Sequence, residues 1–212
     1  MEREAFVRCW PALALAVAAA FALAAFFHPG PFAGEVGIVR QLQRLPGPVP
    51  GLAEFVRQTT GTTAAVMAGA PLAAWLAWRH RLAGALAIAV ALLTMYAVQP
   101  GLKDIVDRPR PANADVEVRA AWTSESFPSG HSLSTTTVWG FASALSWTVR
   151  RRLLSAVLAL PIALTFLSSG IQGVHWPSDA VAGTLFGALA AWAMLRLLAW
   201  ERRLHWGRRI QP

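Results

Sequence analysis

The sequence predicts an all-α integral membrane protein, a bundle of six transmembrane helices with short interfacial helices on its outer face. Three observations predict it. Of 212 residues, 55% are hydrophobic and only 14% charged, which leaves too little polar surface for a soluble domain. Apolar stretches recur at close to the roughly 20 residues that a helix needs to cross a bilayer. Arginines gather in alternate connections, the pattern of loops retained in the cytoplasm. This composition excludes a disordered chain and a basic nucleic-acid tail, so the net charge of +8 is read as setting orientation and no nucleic-acid partner is expected. The single cysteine, Cys9, excludes an intramolecular disulfide and a cysteine zinc site, and reads as a small apolar residue near a helix start.

Residues 9–27 form the first expected span. It is read as a retained helix: the run exceeds a signal-peptide core, Glu2-Arg3-Glu4 is not clearly basic, and no convincing cleavage site precedes His28. The segment 28–61 then carries Val36, Ile38, Val39, Leu42 and Leu45 beside Arg40, Gln43 and Arg44. After the turn-forming run Pro46-Gly47-Pro48-Val49-Pro50-Gly51 comes a second apolar stretch around Phe55. Such amphipathic pieces lie in the membrane interface or pack over a bundle. Spans two and three are expected at 62–78 and 82–99, spans five and six at 153–168 and 180–200. Span four, 130–149, is the right length but holds Ser132, Ser134, Thr135, Thr136 and Thr137, whose hydroxyls bond back to helix carbonyls or across to neighbours; it is expected to face the bundle interior.

Arg79 and Arg81 separate spans two and three, Arg150-Arg151-Arg152 spans four and five, and Arg202, Arg203, Arg208 and Arg209 follow span six. Both termini are therefore expected in the cytoplasm, with the chain integral to the plasma (inner) membrane. The segments left outside, 28–61, 100–129 and 169–179, hold seven Lys/Arg and eight of the eleven acidic residues, so they are nearly neutral. Trp10, Trp75, Trp78, Trp147, Trp200 and Trp206 fall near the expected inner ends, where indoles anchor at headgroup level. Residues 1–212 read as one membrane-embedded domain whose chemistry-bearing residues lie within 100–190.

Three clusters fall on the expected outer side. Lys103-Asp104-Ile105-Val106-Asp107-Arg108-Pro109-Arg110-Pro111 follows span three, Pro128-Ser129-Gly130-His131 opens span four, and Ser168-Ser169-Gly170-Ile171-Gln172-Gly173-Val174-His175-Trp176-Pro177-Ser178-Asp179 opens span six. Ser129 suits the N-cap of span four and Pro177 the first turn of span six, so two helix N-termini point outward with unpaired N–H groups that favour an anion. Lys103, Arg108 and Arg110 add fixed positive charge on that face. His175 precedes Asp179 by four residues, a spacing at which a carboxylate holds one imidazole nitrogen, fixes the tautomer and supports the charge acquired on attack. Read singly, each residue also has a structural role: Ser129 as a cap, Asp179 as a first-turn acid, the three basic residues as headgroup contacts. Two histidines and Asp179 would also suit a metal, but a cation would sit among three basic side chains and two positive helix ends, whereas a phosphate is stabilised by all five.

These motifs resemble those of the type 2 phosphatidic acid phosphatase family of membrane lipid phosphatases, relatives of vanadium haloperoxidases and bacterial class A acid phosphatases. Lys103 to Arg110-Pro111 matches the family's Lys, six residues, Arg-Pro; Pro128 to His131 matches its Pro-Ser-Gly-His; His175 and Asp179 match the end of its third motif. The resemblance covers about residues 100–190 and implies a lipid phosphate or pyrophosphate substrate: phosphatidate, phosphatidylglycerol phosphate or a polyprenyl pyrophosphate. It further implies His175 as nucleophile through a phosphohistidine, Asp179 orienting it, and His131 as acid and then base. Lys103, Arg110, Ser129 and the Gly130 N–H would hold the phosphate, with no metal and no cofactor. One position departs: where the family has a phosphate-binding arginine, this chain has Ser169. A serine there loses a charge-assisted contact, so Arg108, with Arg119 and Gln172 behind it, is the expected replacement alongside Ser169 itself. A lipid phosphotransferase using the same His175, or a non-catalytic lipid-binding homologue, stands as the alternative. Oligomeric state is not legible.

Overall fold

The computed structural model describes residues 2–46, 48–78, 82–120 and 122–207, and all regular structure among them is helical. Helix α1 (Glu2–Phe27) is followed by α2 (Glu35–Gln43), α3 (Val49–Thr59) and α4 (Thr62–Trp78). Next come α5 (Leu82–Leu93), a π-helical turn at Thr94–Val98 and α6 (Gln99–Val106) as one continuous rod. A second composite rod joins α7 (Gly130–Thr135), a π-helical turn at Thr136–Gly140 and α8 (Phe141–Thr148), before α9 (Arg152–Ile171) and α10 (Pro177–Gly207).

Four of these helical stretches are long and apolar enough to cross a membrane: Cys9–Phe27, Leu82–Val106, Arg152–Ile171 and Pro177–Glu201. The other two expected spans are helical but differ in kind. Helix α4 has 17 residues, and the α7–α8 rod is mostly polar where it is buried, with Ser132, Ser134, Thr135, Thr136 and Thr137 beside Leu133. Two of its hydroxyls bond back, Ser134 Oγ donating to Gly130 O at 2.9 Å and Thr137 Oγ1 to Leu133 O at 2.8 Å; Thr135 Oγ1 accepts from Thr165 Oγ1 at 3.4 Å, and Ser132 Oγ and Thr136 Oγ1 have no partner among the described residues. The third span runs further than expected, to Val106, because the π-helical turn carries the chain past Pro100; it ends where Asp107 turns left-handed at φ 47°. Lys103 therefore sits on the helix, not beyond it.

Helix α10 packs against α1, α5, α7 and the second π-helical turn, so the other long elements are arranged around it. Small residues make this possible. Ala14, Ala18 and Ala25 are buried on α1, and on α10 Gly183 and Gly187 face α7 so closely that a Cβ at Gly187 would fall 2.5 Å from Leu133 O and one at Gly183 would collide with Ser129 O. Outward, large apolar residues such as Leu13, Leu23, Phe27, Trp75, Leu86, Leu93, Leu153 and Leu164 are exposed, the surface that lipid covers. The amphipathic segment 28–61 forms α2 and α3, and both pack against α9. Gly47 in its turn, and Arg79, Arg81, Arg208 and Arg209 of the basic clusters, lie outside the described residues, as do the side chains of Arg202, Arg203 and Trp206.

Candidate active site

Local physics builds the two helix starts first. Ser129 caps α7, its Oγ accepting the Ser132 N–H at 3.4 Å. Trp176 precedes α10; Asp179 Oδ2 accepts the Trp176 N–H at 2.9 Å, the reciprocal bond of a capping box, with Pro177 in the first turn. The two starts are tied together by Ser129 N–H donating to Asp179 O at 3.0 Å.

A cavity of about 420 Å³ opens at these ends. Lys103 from α6, Arg110 from the following loop, Gly130 and His131 from α7 and His175 before α10 all line it. Five of the residues expected from sequence thus converge on one space. Lys103 Nζ donates to the Glu125 carbonyl. Arg110 is braced by Ser124 O at 2.6 Å and Val174 O at 2.7 Å, and its Nη1 lies 3.2 Å from His175 Nε2.

His175 is held differently from the expectation. Its Nδ1 is 3.9 Å from Asp179 Oδ2, too far for a hydrogen bond, and Ser126 stands between them. Ser126 Oγ donates to Asp179 Oδ2 at 2.5 Å and lies 3.3 Å from His175 Nδ1. With its proton given to the carboxylate, the hydroxyl accepts from Nδ1–H. Arg110 can only donate, so the Nε2 facing it carries the lone pair. Both contacts select the tautomer that keeps its lone pair on Nε2.

Arg108, expected on the phosphate, is fully buried behind this assembly. Its Nη1 donates to Asp179 Oδ1 at 2.6 Å and Ser178 Oγ at 2.7 Å, its Nη2 to Glu35 Oε2 and Gly30 O, both at 2.9 Å. With both terminal nitrogens so engaged, it anchors Asp179 and ties α2 to the start of α10. Ser169, also expected on the phosphate, is buried within α9, its Oγ donating to Thr165 O at 3.0 Å; residues on the helix body reach their own carbonyls before they reach the cavity. Arg119 and Gln172 are committed as well, to Ile171 O and Glu117, and to Pro50 O. Ser129 is fully buried as a cap beneath the cavity. The alternative metal set does not converge either, since Asp179 turns both oxygens to Arg108, Ser126 and the Trp176 N–H.

The cavity also holds a cation that the sequence reading passed over. Arg57 of α3 lines it, and its guanidinium lies 4.9 Å from the Trp122 ring centre, the same indole that Arg110 approaches at 5.4 Å. The signal was present: Ala53, Val56, Arg57 and Thr60 recur at helical spacing, and of these Arg57 alone is charged on a stripe whose other members are small or apolar. Ser126 carried no comparable signal beyond standing two residues before Pro128.

Burial, followed by the Arg110, Lys103 and Arg57 charges, holds the His175 imidazole well below its ordinary 6.5. Burial and the nearby Arg57 bring Arg110 down to about 10, so it stays charged at neutral pH. A nucleophile with a depressed pKa is disabled only when pH falls through that lowered value. The acid limb of kcat/KM, corrected for substrate ionisation, is therefore expected well below pH 6.5; a limb at or above 6.5 assigned to His175 contradicts the geometry.

The curated relatives include decaprenylphosphoryl-5-phosphoribose phosphatase of Mycolicibacterium smegmatis, 32% identical over 152 residues, 70% of this chain and 78% of that protein. Phosphatidylglycerophosphatase B of Escherichia coli is 33% identical over 86 residues, covering 39% of this chain and 32% of that longer protein. Among solved structures, a transmembrane PAP2 type phosphatidylglycerolphosphate phosphatase from Bacillus subtilis superposes with a TM-score of 0.65 over 91% of this chain and 96% of its own, at 19% identity, which supports the fold. The model of the PAP2 superfamily matches residues 81–203, the stretch that carries Lys103, Arg110, His131, His175 and Asp179, and the chain, a helical membrane protein, belongs to that family.

Proposed function

We propose that this protein is a membrane lipid phosphatase that hydrolyses a lipid phosphate or pyrophosphate through a phosphohistidine on His175. The observation that carries it is the convergence of His131 and His175 on one cationic cavity, with His175 Nδ1 committed to Ser126 and Nε2 turned toward Arg110. Nε2 attacks phosphorus and the bond from phosphorus to the lipid oxygen breaks. His131 gives its proton to that leaving oxygen. Water then attacks the phosphohistidine, His131 takes the water proton, and orthophosphate leaves with His175 restored. Throughout, the Nδ1 proton stays with the imidazole, and Asp179 stabilises the charged ring through Ser126. Lys103, Arg110 and the Gly130 N–H neutralise charge on the phosphoryl oxygens.

The relatives' names favour a polyprenyl-linked phosphate or phosphatidylglycerol phosphate within the wider class that includes phosphatidate. Single-domain membrane embedding with six spans, counting α4 and the α7–α8 rod, cytoplasmic termini and an extracytoplasmic active site form part of this reading. It is supported by the clustering of Lys103, Arg110, His131 and His175 around one cavity and by the Arg150-Arg151-Arg152 connection at the opposite end of the α7–α8 rod.

Phosphate release from these three lipid classes by the purified protein in detergent, beside His175→Ala, tests it. Because lysine, arginine and helix ends supply the positive field, release is expected to persist in EDTA. Loss on chelation with restoration by zinc or magnesium contradicts the mechanism, and labelled phosphate passing to a lipid or sugar hydroxyl instead of water identifies a transferase.

A further inference from the structure

We propose that Arg57 is a phosphate ligand of this site, delivered from α3 in place of the arginine that position 169 lacks; the assignment rests on the lipid phosphatase reading for its substrate but not for its test. Two buried arginines of this chain make the contrast. Arg108 is fully buried with its terminal nitrogens engaged by Asp179, Ser178, Glu35 and Gly30. Arg57 is only 4% exposed, yet neither of its terminal nitrogens has a hydrogen-bond partner among the described residues. A guanidinium so buried and unpaired is costly to keep unless something binds it.

Its surroundings specify that partner as an anion. Arg57 lines the cavity together with Lys103 and Arg110, and Glu54, the carboxylate acting on it electrostatically among the described residues, lies on its own helix and is engaged by Gln58 Nε2 at 2.8 Å. Three cations around one space repel one another until an anion enters between them. Trp122 steadies the pair of arginines: its ring meets Arg57 at 4.9 Å and Arg110 at 5.4 Å, and it meets the His131 ring edge-on at 5.7 Å. The placement of α3 against the reacting groups is itself built in. Gly61, at φ +114°, lets the chain leave α3 so close to His131 that a Cβ there would fall 2.8 Å from the ring. A dianionic phosphoryl group on His175 would thus meet Arg110 on one side and Arg57 on the other, recovering the two-guanidinium hold that Ser169 cannot supply.

The test uses the full chain in detergent and two readouts, the Kd for inorganic phosphate by titration calorimetry and kcat/KM for lipid phosphate hydrolysis. Arg57→Gln is expected to weaken phosphate binding by about 10-fold or more and to lower kcat/KM by about 100-fold. Arg57→Lys keeps the charge but not the fork, and is expected to fall between Arg57→Gln and the wild type in both readouts. Arg44→Gln, the same charge change at an exposed position on the far end of α2, is expected to match the wild type. The thermal midpoint of Arg57→Gln is expected to hold or rise, since an unpaired buried charge is removed; a structural role would lower it. Unchanged phosphate affinity in either folded variant overturns the assignment, as does a wild type that binds no phosphate. A wild type that binds phosphate through Arg57 but releases none from any lipid keeps the ligand and removes the phosphatase reading.

Discussion

Arg108→Ala is expected to lower the thermal midpoint by on the order of 10 °C and to leave little phosphatase activity in what remains folded. Alanine there strands two buried carboxylates at once: Glu35 Oε2, 2.9 Å from the guanidinium, and Asp179 Oδ1, 2.6 Å from it. Removing one partner of such a network typically costs about 3–5 kcal/mol, because the charges left behind have neither water nor a counter-ion. The loss reaches catalysis through geometry. Asp179 holds Ser126, Ser126 holds His175 Nδ1, and Glu35 also accepts the Ser178 N–H at 2.8 Å, so α2, the start of α10 and the His175 ring shift together. Differential scanning fluorimetry beside initial rates measures both effects. Arg108→Lys is expected to recover part of the stability and little of the rate, since one ammonium cannot span the positions that the guanidinium joins. An Arg108→Ala protein with wild-type midpoint and rate would show that Arg108 does not anchor Asp179.

His175→Ala is expected to reduce phosphate release by about 10⁴-fold or more, the scale seen when a covalent nucleophile is removed. Its structural effect is expected to be small, because the imidazole's contacts are to groups with other partners: Ser126 keeps Asp179, and Arg110 keeps Ser124 O and Val174 O. The covalent step has its own readout. Wild-type protein quenched in alkali during turnover of a lipid labelled in its phosphate is expected to carry acid-labile label on the His175 peptide, and the variant none. Label on another residue, or undiminished turnover in the variant, would sink the nucleophile assignment.

The groups that the sequence located are those whose placement is local. A helix start positions Ser129, Gly130 and His131 relative to one another whatever the rest of the chain does, and the capping box built by Trp176 and Asp179 brings His175 to the N-terminus of α10 in the same way. The helical rods were legible for a similar reason, since apolar length and turn residues act over short distances. The errors concern groups whose partners are remote in sequence. Arg108 stands beside Arg110, but its partners lie on α2 and α10; two neighbouring arginines separated by a proline take opposite sides of the same wall. Arg57 reaches the cavity only because α3 docks on α9 and Gly61 turns the chain toward His131. Ser126 lies in a loop whose course is set by its N–H donating to Arg108 O at 2.7 Å, a contact with no signature in spacing or periodicity.

The close approach of α7 and α10 at Gly183 and Gly187 acts as a gauge for the reaction. Helix α7 carries His131 and α10 begins two residues after His175, so backbone against backbone spaces the two helix starts that bear the histidines. A stop made of absent methyl groups has no rotamers to sample and no proton to lose. Its contacts carry no charge for salt or pH to act on, and a methyl group added at either glycine would meet the facing carbonyl. The spacing of the two imidazoles is thereby written into a surface where no functional group appears at all.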